Sequence, residues 1–315
     1  MRRLLIGLAA AALAATMGSA IAQDKKTIGV SIPAADHGWT AGVVFHAERV
    51  AKKLMEQHPN LNVIVKTSPD PASQANAVQD LETQGIDALV ILPTDPDPLV
   101  NAIKEVKSKG KFVALVDRAP STNDDSVRDL YVAGNNPALG EVAGKYIAAT
   151  TTNAEVVVIR GLPIPIDQQR QDGFDKGIAG SGVKVLDRQF GNWSRDDAFK
   201  VMQDFLTKYP KIDVVWCQDD DMAVGVLEAI EQAKRTDIQY VVGGAGSKDM
   251  IKKVMDGDKM MPVDVLYPPA MVGTALELTA AGLVDQVPVS GTYILDATLV
   301  TKDNAASFHF PDSPF

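Results

Sequence analysis

From Thr27 onward, short runs of β-branched and aliphatic residues alternate with longer segments whose apolar residues recur at spacings of three and four. The runs predict strands at 27–32, 62–66, 88–92, 112–116, 129–132, 155–159, 184–190, 213–217, 239–242 and 261–265. Helical spacing is clearest in Ala198, Val201, Met202, Phe205, Leu206 and Tyr209, and again in Ala223, Val226, Leu227, Ile230 and Ala233. This rhythm is that of successive βαβ units, and so of parallel, doubly wound sheets. The pattern restarts at Glu155, after a helix expected over 139–150 and a break near Gly134-Asn135-Asn136-Pro137. The expected fold class is therefore α/β, as two doubly wound parallel-sheet lobes. Periodicity fades from Asp303 to Phe315, which predicts an irregular tail.

The first residues follow another rule. Met1-Arg2-Arg3 precedes an apolar stretch from Leu4 to Met17, and Ala20-Ile21-Ala22 offers an A-x-A cleavage site. Residues 1–22 read as a signal peptide, so the mature protein, from Gln23, is expected to be exported. No later segment supplies about 20 consecutive apolar residues, so a membrane-embedded chain is not expected. Loss of Arg2 and Arg3 moves the formal net charge from −9 to −11. That balance disfavours nucleic acid or an anionic membrane as partner and suits a neutral small molecule. Cys217 is the only cysteine, which excludes an intramolecular disulfide, and its apolar run marks it as inert core.

Enzyme signals are scarce. No dinucleotide, Walker or nucleophile-elbow motif occurs, and Gly243-Gly244-Ala245-Gly246-Ser247-Lys248 lacks phosphate-loop spacing. His37, His46, His58 and His309 have no zinc-like spacing, so neither a metal nor a cofactor is expected. The predicted strand ends instead carry rings and planar polar groups. Asp36-His37-Gly38-Trp39-Thr40 follows the first strand, Asp117-Arg118 the fourth, and Trp193-Ser194-Arg195 the seventh. Arg170-Gln171-Asp172-Gly173-Phe174 is expected before the helix of the second lobe's first unit, and Asp219 closes the eighth strand. Sugars offer apolar C–H faces to indoles and hydroxyls to guanidinium forks and carboxylates. Each residue also has a plainer reading. Trp39 and Trp193 suit a packed domain edge, Asp117 and Arg118 a surface ion pair, Arg170 a helix-terminus bond, and the aspartates after Gln218 helix caps.

Taken in order, Leu92-Pro93-Thr94-Asp95, Val116-Asp117-Arg118, Gly140 to Ile147, Arg170 to Phe174, Val201-Met202-Gln203 and Gln218 to Gly225 resemble a known family. It is the periplasmic ribose-binding type of sugar-binding protein, a type I periplasmic binding protein and exported receptor of ABC importers, related to lac-repressor-type inducer domains. The resemblance implies two lobes joined by a three-segment hinge. The first lobe would take residues 23–134 plus 268–295, the second 135–267 plus 296–315. It places His37 and Trp39 in the first-lobe binding loop and makes Asp117 and Arg118 a hydroxyl-gripping pair. Arg170 becomes the second-lobe arginine, Trp193 the opposing aromatic wall, and Asp219 a polar strand-end group. Tyr267 stands at a hinge position where the family carries glutamine, Leu92 replaces an asparagine and Ala245 an aspartate. With those polar partners lost, buried ribose hydroxyls would go unpaired at about 1–3 kcal/mol each.

The expected function is capture of a neutral, pentose-sized monosaccharide between closing lobes for delivery to an ABC permease, by a monomer without catalysis. Alternatives are a receptor serving a chemotaxis or sensor-kinase partner, an inducer-binding regulator, and a glycoside hydrolase using Asp117 and Asp219.

Overall fold

The computed structural model describes residues 25–122 and 125–315; the expected signal peptide lies outside them. In the first half, β1 (Lys26–Pro33), β2 (Leu61–Ser68), β3 (Ala88–Ile91), β4 (Phe112–Val116) and β5 (Leu130–Gly134) alternate with α1 (Gly38–Gln57), α2 (Pro71–Thr83) and α3 (Pro96–Ser108). The second half opens with α4 (Asn136–Thr150), β6 (Glu155–Arg160), α5 (Pro165–Ile178), β7 (Lys184–Phe190), α6 (Arg195–Lys208), β8 (Val214–Cys217), α7 (Asp220–Ala233) and β9 (Tyr240–Val242). It continues through α8 (Lys248–Asp256), β10 (Asp264–Val265), α9 (Met271–Leu283), β11 (Gly291–Leu295) and β12 (Leu299–Val300).

Two parallel sheets result. One runs β11-β5-β4-β3-β1-β2 and the other β7-β6-β8-β9, while β10 and β12 pair antiparallel between two residues each. Strands covered by helices on both faces should be apolar without alternation. Ala88–Ile91 and Val214–Cys217 are accordingly buried at every position. Helix starts are written in side chains: Asp70, Asn135, Ser194, Asp219 and Ser247 each accept from a backbone N–H of the helix they precede. Proline stands in the first turn of α2, α3, α4 and α5, where its missing N–H costs nothing.

The chain passes between the two sheets three times, after β5, between β10 and α9, and between β11 and β12. The first passage leads directly into the tightest helix contact. A Cβ on Gly140 of α4 would lie 1.8 Å from the Arg170 carbonyl oxygen of α5, and one on Gly173 would lie 2.0 Å from that of Pro137. Only glycine lets these backbones meet, and the meeting fixes where Arg170 starts.

The strand expectations differ from the structure in two places. Of 261–265, only Asp264–Val265 pairs, because its partner β12 is itself two residues long. Gly291–Leu295 was not expected as a strand, yet it pairs with β5 along its full length. It is an edge strand with exposed Tyr293 and Ile294, so backbone pairing holds it without the buried face that would have marked it in the sequence. The tail carries one turn of 3-10 helix, Ala305–Ser307, and is otherwise irregular.

Candidate functional site

The carboxyl ends of parallel strands leave room between the loops that follow them, and that is where open α/β sheets bind ligands. A cleft there is lined by His37, Trp39, Asp117, Arg118, Ile166, Arg170, Trp193, Asp219 and Ala245. Its cavity volume is only about 10 Å³, so the side chains that line it nearly meet. Seven of its residues are those singled out from the sequence. The eighth, Tyr267, is fully buried and meets the cleft through Asp117, to which its hydroxyl donates. Ile166 and Ala245 complete the lining. Ile166 gave no signal in the sequence, being one apolar residue in an amphipathic helix.

Asp117 directly follows β4, and its backbone has φ 62°, the left-handed region that disfavours residues with a Cβ. Tyr131 Oη donates to its carbonyl at 2.6 Å and Val132 O receives its N–H at 2.9 Å, which holds the turn. Trp193 has φ 55° and Ala245 φ 103°. Three cleft residues thus sit in strained backbone, a feature that gathers at ligand clamps.

Arg118 Nη1 donates to the carbonyls of Pro93 at 3.1 Å and Thr94 at 2.6 Å. Its Nε lies 3.7 Å from Asp117 Oδ2 and has no hydrogen-bond partner among the described residues. Its guanidinium stands 5.2 Å from the centre of the Trp193 ring, and His37 stacks on that ring at 6.3 Å and 20°. Trp193 therefore joins first-lobe groups from the second lobe. Trp39 donates from Nε1 to Tyr267 O at 3.0 Å, and its ring tilts against Tyr267. Arg170 donates from Nε to Asn136 Oδ1 and from Nη1 to Gln218 O, both at 2.7 Å, and lies 4.5 Å over the Tyr267 ring.

Burial pushes the Asp219 carboxyl up to about 6; His37 and Arg170 oppose that rise and Asp221 adds to it. One Asp219 oxygen caps α7 through Asp221 N–H at 2.8 Å. Among the described residues neither Asp219 nor Arg170 belongs to an ion pair, though both are buried. The cleft thus holds two acids and two guanidinium groups, a balanced set that suits an uncharged ligand with groups that both donate and accept.

A wider groove of about 370 Å³, which shares Ala245 with the cleft, opens between α1, the second crossing and the tail. None of its charged side chains is buried, so it lacks the convergent polar groups that define a specific small-molecule site.

Residues 28–286 match the periplasmic binding protein domain. The chain belongs to that family. The Escherichia coli K12 ribose import binding protein RbsB is 32% identical over 96% of this chain and 99% of its own length. A xylitol-binding protein of Mycolicibacterium smegmatis is 29% identical over 89% of this chain and 78% of its own. Among solved structures, an ABC transporter solute binding protein from Mycobacterium smegmatis with bound glycerol aligns with TM-score 0.80 at 27% identity, covering 91% of this chain and 98% of its own. A galactofuranose binding protein, at 24% identity and TM-score 0.82, shares the fold over 92% of this chain and all of its own. The family is one of substrate-binding proteins rather than enzymes, and no helix of the described residues is long and apolar enough to cross a membrane.

One buried group of this periplasmic binding protein lies just outside the cleft. Asp220 accepts from Gly244 N–H at 3.0 Å and Ser247 N–H at 2.7 Å, and Asp264 faces it across Gly243. Burial pushes Asp264 up to about 7, and burial with Asp264 and Asp219 nearby raises Asp220 as well. The folded pair therefore keeps a proton that the unfolded chain gives up near pH 4. Protons are then bound more by the native state, so the pair makes stability fall as pH rises from about 4 through 7. Asp264→Asn is expected to lessen that decline, leaving the share due to Asp219, and to stabilise the protein at pH 8 by roughly 1–3 kcal/mol. Urea unfolding at pH 5 and pH 8 checks it; a wild-type slope retained in the variant would place the proton elsewhere.

Proposed function

We propose that the chain is an exported ABC-importer receptor that binds one neutral, pentose-sized sugar or polyol between its lobes and releases it to a permease. The observation that carries this reading is the charge balance of the cleft. Asp117 and Asp219 share one cleft with Arg118 and Arg170, and the buried Arg118 Nε has no hydrogen-bond partner among the described residues. Hydroxyls donate and accept at once, and bonds to charged partners are the strong ones. Trp39 and Trp193 supply faces for the C–H surface of a ring. The names of the relatives, which include ribose, xylitol and D-apiose binders, support the same class.

Because a ligand would touch both lobes, it would favour the closed arrangement through contacts that the open one lacks. The three crossings would serve as the hinge, with lobe boundaries near residues 134, 267 and 296. The reading includes export to the periplasm, which the leader-like residues 1–22 and family membership support, and a monomeric receptor. Catalysis is not part of the reading, since Asp117 is tied to Tyr267 and Arg118 in a manner suited to holding.

Calorimetry of the mature protein with D-ribose, 2-deoxy-D-ribose, D-xylose, xylitol and D-galactose tests it. Saturable binding of at least one five-carbon compound is expected, and binding of none overturns the proposal. Affinity should hold above pH 7 and fall below about pH 6, because protonation of Asp219 removes an acceptor for a ligand hydroxyl. Asp219→Asn should weaken binding about tenfold at pH 8, the scale of one hydrogen bond to a charged group, and should flatten the pH profile. A variant that keeps the wild-type profile would assign the titration to another group.

A further inference from the structure

The two sides of the cleft are already wired together without any ligand. Tyr267 Oη donates to Asp117 Oδ1 and accepts from Asn136 Nδ2 at 2.8 Å. The same Asn136 side chain accepts from Arg170 Nε at 2.7 Å through its oxygen, and Arg170 continues to Gln218 O. An unbroken hydrogen-bonded chain therefore runs from the first lobe's acid to the second lobe's arginine. Its two middle members sit on two of the three crossing segments. Asn136 is the first residue of α4, directly after the passage from β5, and Tyr267 lies in the passage from β10 to α9.

Every link is buried and oriented. Asn136 is 2% exposed and Tyr267 1%. Each amide atom of Asn136 has one partner, which fixes the amide's direction, because the oxygen must face Arg170 and the nitrogen must face a hydroxyl. Burial, with Asp117 beside it, holds the Tyr267 phenol well above its usual range, so it stays a donor at any working pH. The ring is fitted as closely as the hydroxyl. A Cβ on Gly134 would fall 2.1 Å from Tyr267 Cε2, and Arg170 and Trp39 close on the ring from other sides.

We infer that Tyr267 and Asn136 act as a positioning relay that sets Asp117 and Arg170 in register across the hinge, so that ligand affinity depends on a hydroxyl that does not line the cleft. This rests on the reading of the cleft as a sugar site and adds what orders that site. Misplacing either gripping group by a fraction of an ångström weakens bonds to a rigid ring, and groups held by supporting bonds bind with less ordering cost. A relay, unlike two independent supports, fails as a unit.

Tyr267→Phe keeps the ring and all its packing and deletes only the links to Asp117 and Asn136. Asn136→Ala breaks the chain one step further on. With the best ligand of the sugar panel as probe, Tyr267→Phe should lose about tenfold in affinity, the worth of one hydrogen bond to a charged group. Its melting temperature should shift by no more than a few degrees. The double variant should bind like Asn136→Ala alone, since the chain is already broken there. Unchanged affinity in Tyr267→Phe, or losses that multiply in the double variant, overturns the relay. Should Asn136→Ala not fold, the Tyr267→Phe split between affinity and melting still decides. Wild-type protein that binds no member of the panel brings down the sugar reading itself, and the relay with it; wild-type binding with an unaffected Tyr267→Phe removes the relay alone.

Discussion

Arg118→Leu is expected to lower stability by roughly 3–5 kcal/mol, the cost of leaving one partner of a buried charge pair alone, and to abolish detectable sugar binding. Arg118 is 4% exposed and supports three things at once: the carbonyls of Pro93 and Thr94, the carboxylate of Asp117 and the face of Trp193. Burial lowers its guanidinium pKa, an effect that Asp117, Asp36 and Tyr267 oppose and Arg170 adds to. Leucine restores volume but leaves two carbonyls without donors and Asp117 without a cation. Urea denaturation and calorimetry on the same preparation check both halves. A loss under 1 kcal/mol would mean that Asp117 is neutralised by another route.

Gly140→Ala carries the second large effect, and it acts far from any ligand atom. The added methyl would lie 1.8 Å from the Arg170 carbonyl oxygen and 2.7 Å from Phe174 N, so α4 and α5 must part. Overpacking against backbone costs about 1–3 kcal/mol or more, against a gain of about 1 kcal/mol in helix propensity. Because Arg170 rides on α5 at that contact, the separation should also pull its guanidinium from Asn136 and Gln218 and weaken binding. Gly282→Ala is the comparison. Its methyl, on α9, would find its nearest neighbour, Val287 O, at 3.6 Å, so that variant should be as stable as the parent or more so. Equal melting temperatures for the two variants would show that the α4–α5 crossing is slack.

Positions that the sequence made visible share a physical trait: a short-range pattern dictated them. Strand runs buried on both faces, helical spacing at three and four, and capping residues at helix starts are local, and they placed the βα junctions that hold His37, Asp117, Trp193 and Asp219. Signals failed where a feature depended on a distant neighbour. β11 is held by its ladder with β5 rather than by a buried face of its own, so its exposed Tyr293 and Ile294 hid it. Asn136 sat in a break recognised as a break, yet nothing in Gly134-Asn135-Asn136-Pro137 distinguishes an amide that caps from one that joins two lobes. Tyr267 stood out only as a residue at a hinge position where glutamine is usual; its bond to Asp117, 150 positions away, left no trace in the sequence.

The sequence alone determined the α/β class, the restart that makes two lobes and the residues at the strand ends, because periodicity and turn chemistry act over a few residues. Only the tertiary structure decided which of those residues converge on one cleft, that Asp117 and Trp193 stand in left-handed backbone, and that Tyr267 and Asn136 link the two sides. The Tyr267 links join segments more than a hundred positions apart and the Asp117 turn leans on a neighbouring strand, so the energy lies in shared burial and paired hydrogen bonds that no local pattern records.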